Sequence, residues 1–300
     1  MQTRPFPPPL SPPFKLSAPL TNYSSFTHSP PHTHTHRSFF QHWNRKLHTF
    51  DPWGGHTPPL PGLTLKHAFP RLRWMTIEPP VDVHHVFNRY AFKLGQPDDY
   101  AQMPEASLAP LYIHGYFFNY RHWHAARQDV LHILALHPAI QRYAELVYGD
   151  WLAPDAAREP VSLHLRLGYS GEPATDLLRD RRLPPGDFYA DIFGDVLGTS
   201  NKLYLVFSDN PPKARQVMQG YESRFPGLRW ELIDENVLTS IHIMARCKHH
   251  VLTSSTLSFW GAYLDHKQPT GGTTVLHATF FIDHGRDMIP PDYNWRVLGE

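Results

Sequence analysis

The stretch Val161–Ser170, VSLHLRLGYS, decides the fold of this chain. Its apolar residues alternate with Ser162, His164 and Arg166, which is the period-2 pattern of a β-strand, and Gly168 ends the pattern. In open α/β sheets, ligands bind in the crevice outside the carboxyl ends of the strands, where an arginine pairs well with phosphate. The stretch therefore predicts a strand that presents Arg166 to an anionic ligand. An edge strand with one solvent-exposed arginine is the alternative.

Strand and helix patterns alternate along the chain after this stretch. We expect strands over 203–207, 229–233, 250–253 and 274–277, and helices over 211–221, 237–245 and 257–264. Asp209 or Asn210 is expected to cap the helix that begins at Pro211. Such alternation is typical of a largely parallel sheet flanked by helices.

The patterns before residue 150 are weaker. The segment LYIHGYFF at 111–118 predicts a strand that Gly115 interrupts. Helices over 120–136 and 138–148 follow, with Gly149 as the expected stop of the second. We expect folded structure to begin near Leu65.

Composition excludes several classes of function. The 300 residues carry 28 Lys and Arg against 27 Asp and Glu, so the net charge of +1 gives no reason to expect a nucleic-acid partner. Cys247 is the one cysteine, which excludes an internal disulfide and a Cys-based zinc site. A buried helix position is expected for it. No window of 18 apolar residues is present, so the sequence predicts no transmembrane helix.

The first 62 residues differ from the rest in composition. They hold 13 of the 31 prolines and show no helix or strand periodicity, so we expect a disordered or polyproline-like segment. The first fifty residues lack Asp and Glu but contain five Lys or Arg, which fits either a transit peptide or a mis-annotated start.

Four segments resemble the α-1,2-fucosyltransferases, glycosyltransferase family 11. They are GYFF at 115–118, HLR at 164–166, LVFSDN at 205–210 and MARCKHHVLTSSTLSFWGAYL at 244–264. They correspond to the family's GYFQ segment, its H-x-R-R-G-D motif, its F-S-D-D strand end and its last motif, M-S-x-C-x-H-x-I-x-x-S-T-F-S-W-W-G-A-Y-L. The last is the most specific, and the resemblance covers residues 110 to 300 approximately.

The resemblance implies an α/β fold of the GT-B type, with two facing Rossmann-like domains. It suggests a disordered Pro/His-rich segment at 1–62, a partial N-terminal acceptor-side domain at 63–154 and a GDP-sugar-binding Rossmann-like domain with a parallel sheet at 155–300. The implied reaction is inverting transfer of L-fucose from GDP-fucose to a hydroxyl of an acceptor glycan. No metal or other cofactor is expected, which agrees with the lack of an Asp-x-Asp motif. A Golgi location is implied as well, with membrane association only through an N-terminal anchor that this sequence does not show.

The resemblance also implies roles for residues at the nucleotide side. Arg166 would stabilise the charge on the departing β-phosphate, and His164 would set the strand end by hydrogen bonding. Asp209 would lie beside the nucleotide, although an N-cap explains it equally well. Hydroxyls and N–H groups at the start of the last helix would bind the diphosphate, and a plain Ser/Thr cap is the alternative. The donor-binding hydroxyls are those of Ser254, Ser255, Thr256 and Ser258.

The acceptor side is predicted less sharply. His114 is a candidate general base by its position beside Gly115. Tyr116 and Phe117, with nearby aromatic residues such as Trp123, could pack against an acceptor sugar, and an aromatic core cluster is the alternative.

The chain departs from the family pattern at several positions. Leu167 and Tyr169 replace an Arg and an Asp of the H-x-R-R-G-D motif, Ser240 replaces an acidic residue, and Asn210 replaces the second Asp of F-S-D-D. The family's opening G-L-G-N-Q loop has no counterpart here. Three hypotheses therefore remain open: a fucosyltransferase or a relative using another GDP-sugar, a non-catalytic nucleotide- or glycan-binding relative, and an unrelated α/β protein.

Overall fold

A computed structural model describes residues 65–71, 84–88, 111–115, 120, 123–168, 184, 187–266, 271–279 and 289–299. The predictions for residues 1–62, Tyr116, Phe117 and Tyr169 lie outside these residues, as does the side chain of His114.

The elements follow one another in the alternating order that the sequence predicts. The strands are β1 (His84–Asn88), β2 (Leu111–Gly115), β3 (Glu159–Leu165), β4 (Lys202–Ser208), β5 (Trp230–Ile233), β6 (His249–Val251), β7 (Thr274–His277) and β8 (Arg296–Leu298). The α-helices are α1 (Leu65–Ala68), α2 (Arg127–Ile133), α3 (Pro138–Leu152), α4 (Phe188–Asp191), α5 (Pro211–Arg224), α6 (Val237–Arg246) and α7 (Thr256–Tyr263). A 3-10 turn, His124–Ala126, precedes α2, and a π-helical segment, Ile192–Val196, continues α4.

Six of these strands form one parallel sheet in the order β5-β4-β3-β6-β7-β8. Counted from β3, this is the order 3-2-1-4-5-6 of a doubly wound Rossmann-like sheet. The chain moves outward from β3 to β5 and then returns to the other side of β3 with β6. The prediction of an α/β fold with a parallel sheet is therefore confirmed. Separately, β1 and β2 form a parallel pair.

Strand β3 lies at the centre of the sheet and is buried on both faces. Its polar residues Ser162 and His164 are as inaccessible as its apolar ones. The alternative of an exposed edge strand is wrong, because β3 pairs with β4 on one side and β6 on the other.

Each face of the sheet is covered by its own apolar layer. On one face, Leu163 and Val206 belong to a cluster with Phe193 and with Met218 of α5. On the other face, the cluster contains residues of β4, α3 and α6, namely Leu205, Phe207, Ala144, Ile243 and Met244. Burial of this apolar area is the main stabilising contribution to the sheet.

Several helix ends and strands differ from the predictions. Gly149 does not stop α3; that helix begins at Pro138 and continues to Leu152, where Ala153 turns to extended backbone ahead of Pro154, as a residue before proline prefers. The helix predicted from residue 120 is replaced by the 3-10 turn and the short α2. The sequence analysis missed β1 and β8. Cys247 is buried but lies just after α6 rather than within it.

Helices α6 and α7 pack closely because Gly261 faces Met244. A Cβ at Gly261 would lie 2.7 Å from Met244 Cβ and 2.8 Å from its Sδ. We expect Gly261→Ala to lower the free energy of unfolding by about 1–3 kcal/mol, as other overpacked core substitutions do. Urea unfolding measures this change.

Gly220 of α5 provides the matched control for Gly261. Nothing lies within 4 Å of its Cβ position, so Gly220→Ala should be neutral or stabilising by up to about 1 kcal/mol. Equal stability of the two variants would contradict the close contact between α6 and α7.

In the part of the chain that the structure describes, no helix has both the length and the apolar character needed to cross a membrane.

Candidate functional site

The order of the sheet reverses between β3 and β6, and polar residues lie along the carboxyl edge from β3 toward β5. Leu165 pairs with Ser208, and Phe207 of the same strand pairs with Ile233. Continued past the strand ends, this register would place Arg166, Asp209 and Glu235 side by side, each one residue past the row of Leu165 and Ser208. In doubly wound sheets this reversal is the place where ligands bind.

Asp209 organises the turn that follows β3. Its Oδ1 accepts a hydrogen bond from Leu167 N at 2.8 Å, and its Oδ2 accepts one from Gly168 N at 3.0 Å. The same Oδ2 lies 2.9 Å from Arg166 Nη1. The turn has Gly168 at φ 79°, a conformation that glycine adopts without strain. One carboxylate thus holds the turn and the guanidinium together.

Asn210, and not Asp209, caps α5. The Asn210 side chain accepts from Lys213 N, and its Nδ2 donates to Gly168 O at 3.1 Å. Of the two caps that the sequence allows, Asn210 is the one observed. Asn210, which stands where the F-S-D-D motif has its second Asp, therefore has a structural role here.

Arg166 remains accessible while it is held. Its side chain is 31% exposed, whereas that of Asp209 is 5% exposed. The two backbone N–H donors already compensate much of the Asp209 charge, so the guanidinium keeps its attraction for an anion at this edge.

His164 links β3 to the segment after β6. Its Nδ1 lies 3.0 Å from Thr253 Oγ1, and both residues are buried. Burial lowers the pKa of His164 to about 4; the charge of Asp209 opposes this shift and that of Arg166 adds to it. The imidazole is therefore neutral near pH 7 and acts through hydrogen bonding.

The low pKa of His164 makes stability depend on pH. In the unfolded chain His164 takes up a proton below its ordinary pKa of 6.5, whereas in the folded chain it does so only near pH 4. The free energy of unfolding therefore falls as the pH falls between these two values. We expect His164→Gln to show a shallower fall over this range, measured by urea unfolding at several pH values. An unchanged slope would contradict the neutral, buried imidazole.

The start of α7 lies beside this link. Ser255 is the N-cap, and its Oγ accepts from Leu257 N at 3.3 Å. The Ser258 hydroxyl is buried and donates to Thr253 O and Ser255 O, both at 3.0 Å. Ser254 and Ser255 are half-buried and Thr256 is exposed. The structure therefore brings the predicted donor-side hydroxyls together at one helix N-terminus, with that of Ser258 already donating to the backbone.

Three buried polar residues, Ser162, His250 and Asp265, are connected by hydrogen bonds near the carboxyl ends of β3 and β6. Ser162 Oγ lies 2.9 Å from His250 Nδ1, and His250 Nε2 lies 3.4 Å from Asp265 Oδ2. His250 and Asp265 are fully buried, and Arg127 Nη2 donates to Asp265 O at 2.8 Å. These hydrogen bonds connect β3, β6 and the segment after α7. No sequence pattern predicted them.

Trp123 packs against a core cluster of aromatic residues. The Trp123 ring lies 4.5 Å from that of Tyr263 and 5.0 Å from that of Trp260, measured between centroids. Phe259, Tyr293 and Trp295 extend the cluster. For Trp123 the core-cluster alternative is confirmed, and the SFWGAYL segment supplies much of this core.

Two residues that differ from the motifs this sequence resembles also have structural roles. Leu167 is buried in the apolar cluster around β3, and Ser240 is buried with its Oγ donating to Glu235 O at 3.3 Å. The sequence analysis did not single out Glu235, although its place immediately before the N-cap Asn236 of α6 was a usable signal.

Comparisons with known proteins give fold similarity alone. No protein-family profile matches the sequence, and no curated protein matches it. Similar solved structures include the E. coli ADP-heptose LPS heptosyltransferase II, with 16% identity, 55% of this chain and 44% of that chain covered, and a TM-score of 0.32. They also include POFUT1 in complex with GDP, with 16% identity, 56% and 53% covered, and a TM-score of 0.33. The chain spans about half the length of both structures, and at these scores neither identifies its activity.

Proposed function

We propose that this chain is a glycosyltransferase that binds a nucleotide sugar at the carboxyl edge between β3 and β6. The observation that carries the proposal is the Asp209 carboxylate, which fixes Arg166 and the turn after β3 at the reversal of strand order. The start of α7, with its half-buried Ser254 and Ser255, adjoins the same edge.

The chemistry of the site suits a diphosphate leaving group. When the sugar bond breaks, negative charge accumulates on the phosphate that departs, so a positioned arginine stabilises the transition state more than the ground state. N–H donors at the α7 N-terminus stabilise the same charge. Under this proposal His164 holds Thr253, and through it the start of α7, in place. A reaction without a metal remains a prediction.

The finer proposal is inverting transfer of L-fucose from GDP-fucose to a hydroxyl of a galactoside-containing acceptor. It is supported by the resemblance of residues 164–166, 205–210 and 244–264 to α-1,2-fucosyltransferases. With it we propose residues 155–300 as the donor-binding domain and residues 63–154 as the acceptor side, with His114 as a candidate base. The Golgi location and the role of Tyr116 and Phe117 remain predictions.

A non-catalytic nucleotide-binding relative is the second candidate. The buried Leu167 favours it, because the family has a phosphate-binding arginine at this position and leucine donates no hydrogen bond. This candidate predicts GDP binding without transfer.

Calorimetric titration and a transfer assay on the full chain test the proposal together. We expect micromolar binding of GDP, weaker binding of UDP, and transfer of labelled fucose from GDP-fucose to a terminal galactoside. GDP binding without transfer to any of a panel of galactosides would favour the second candidate. Absence of GDP binding by the folded protein would contradict both.

A further inference from the structure

Glu235 is a carboxylate held in one orientation by two tyrosines. Its Oε1 accepts hydrogen bonds from the hydroxyls of Tyr143 and Tyr148 of α3, both at 2.8 Å. The residue is half-buried, at the point where the chain passes from β5 to α6. Within the described part of the chain, Oε2 has no hydrogen-bond partner. The carboxylate is thus fixed through one oxygen and available through the other.

The two tyrosines stay protonated and can only donate to Glu235 in this arrangement. Burial, followed by the hydrogen bond to Glu235, raises the pKa of Tyr143 to about 12. Burial and the Glu235 charge raise the pKa of Tyr148 well above its ordinary value. Because both hydroxyls point at Oε1, the lone pairs of Oε2 remain for a ligand with N–H or O–H donors.

The position of Glu235 along the edge fits one part of a nucleotide. It stands two strands from Arg166 in the row that also contains Asp209, which corresponds to about 10 Å at the usual strand spacing. A ligand whose phosphates contact Arg166 reaches Glu235 only if it extends along the edge, as a nucleoside diphosphate does and pyrophosphate does not.

Asp209 already accepts hydrogen bonds from the turn after β3, so we consider Glu235 as the acidic residue that could bind the ribose. In doubly wound sheets an acidic residue after the second strand typically accepts from the ribose hydroxyls of the nucleotide. The second strand here is β4, and both oxygens of its Asp209 accept from the turn after β3. The next carboxylate fixed in this row is that of Glu235.

We propose that Glu235 binds the nucleoside of the donor by accepting hydrogen bonds from two adjacent donor groups. Such a pair is offered by the ribose diol and by the N1–H and N2–H groups of guanine. This inference rests on the proposed function, because it assigns a residue to the nucleoside half of the same site.

Calorimetry on the full chain with four probes tests the inference. The probes are GDP, IDP, which lacks the guanine amino group, 2′-deoxy-GDP, which lacks one ribose hydroxyl, and pyrophosphate, which lacks the nucleoside. We expect Glu235→Gln to weaken GDP binding about tenfold to a hundredfold, as loss of hydrogen bonds to a charged group does, and to leave pyrophosphate binding unchanged.

Glu222→Gln is the matched control. Glu222 also accepts from an aromatic side chain, Trp230 Nε1 at 3.2 Å, but it lies on α5 rather than in the row at the carboxyl edge. We expect this variant to bind GDP as the wild type does. Thermal melting establishes that both variants are folded.

The outcomes separate this inference from the proposed function. A preference for GDP over IDP that Glu235→Gln abolishes assigns the guanine edge to Glu235, and a preference for GDP over 2′-deoxy-GDP that it abolishes assigns the ribose. Wild-type binding of GDP that Glu235→Gln leaves unchanged would overturn the role of Glu235 only. If the variant does not fold, equal affinity of the wild type for GDP, IDP and 2′-deoxy-GDP overturns it. Failure of the wild type to bind GDP would overturn both.

Discussion

Arg166→Ala is expected to weaken GDP binding about tenfold or more and to lower any transfer rate about a hundredfold. A charge-assisted hydrogen bond contributes about 1.5–3 kcal/mol to binding, and loss of a donor at a developing anion costs about 3 kcal/mol of the activation barrier. The fold should persist, because the Arg166 side chain is 31% exposed and the turn keeps its backbone bonds to Asp209. Calorimetry with GDP and an assay of fucose transfer measure the two effects.

Arg224→Ala is the control for this prediction. Arg224 also pairs with an aspartate, since its Nη2 lies 3.2 Å from Asp187 Oδ2, but both side chains are at least half exposed and Arg224 lies at the far end of α5. Its replacement should leave GDP affinity unchanged. Equal GDP affinity of Arg166→Ala and Arg224→Ala would remove Arg166 from the site.

Asp209→Ala is expected to lower the free energy of unfolding by about 3 kcal/mol, because the three hydrogen bonds to this buried carboxylate are lost. The donors of these bonds are Arg166 Nη1 and the backbone N–H groups of Leu167 and Gly168. Urea unfolding measures the change. GDP binding should weaken as well, because the turn that positions Arg166 loses its support.

Asp187→Ala and a double-mutant cycle complete this test. Asp187 forms an ion pair that is largely exposed, so its loss should change the free energy of unfolding little. Combining Arg166→Ala with Asp209→Ala should give less destabilisation than the sum of the single changes, because the two residues share one contact. A cost for Asp209→Ala as small as that for Asp187→Ala would contradict the role of Asp209 in the turn.

Local patterns predicted the order of the elements well. Alternating apolar residues indicated β3, and Asn210 followed by prolines indicated the start of α5. These features depend on residues a few positions apart, which is the range over which periodicity and capping act. The three-residue strand β8 is too short for such a signal.

Contacts between distant residues could not be predicted in the same way. Alternation in a strand usually indicates one solvated face, yet Ser162 and His164 are buried because His250 and Thr253 meet them from β6 and the segment after it. These partners are 88 and 89 residues away in the chain. Glu235 depends in the same way on Tyr148, 87 residues before it.

For the predicted site residues, the sequence indicated their positions but not their contacts. The resemblance selected Arg166, His164 and Asp209 by motif, and the fold places all three at the carboxyl ends of β3 and β4. The bond from Gly168 N to the Asp209 carboxylate could not be predicted in this way. It depends on the backbone conformation of the turn at Gly168, and helix or strand periodicity does not describe turns. The acceptor side remains a prediction.

A crystal structure of the chain grown with GDP tests whether the nucleotide binds at the carboxyl edge beside Arg166. We expect the diphosphate within hydrogen-bond distance of Arg166 and of the first N–H groups of α7, with the nucleoside extending over β4 toward Glu235. GDP bound away from the carboxyl edge between β3 and β6, or absent at millimolar concentration, would contradict it.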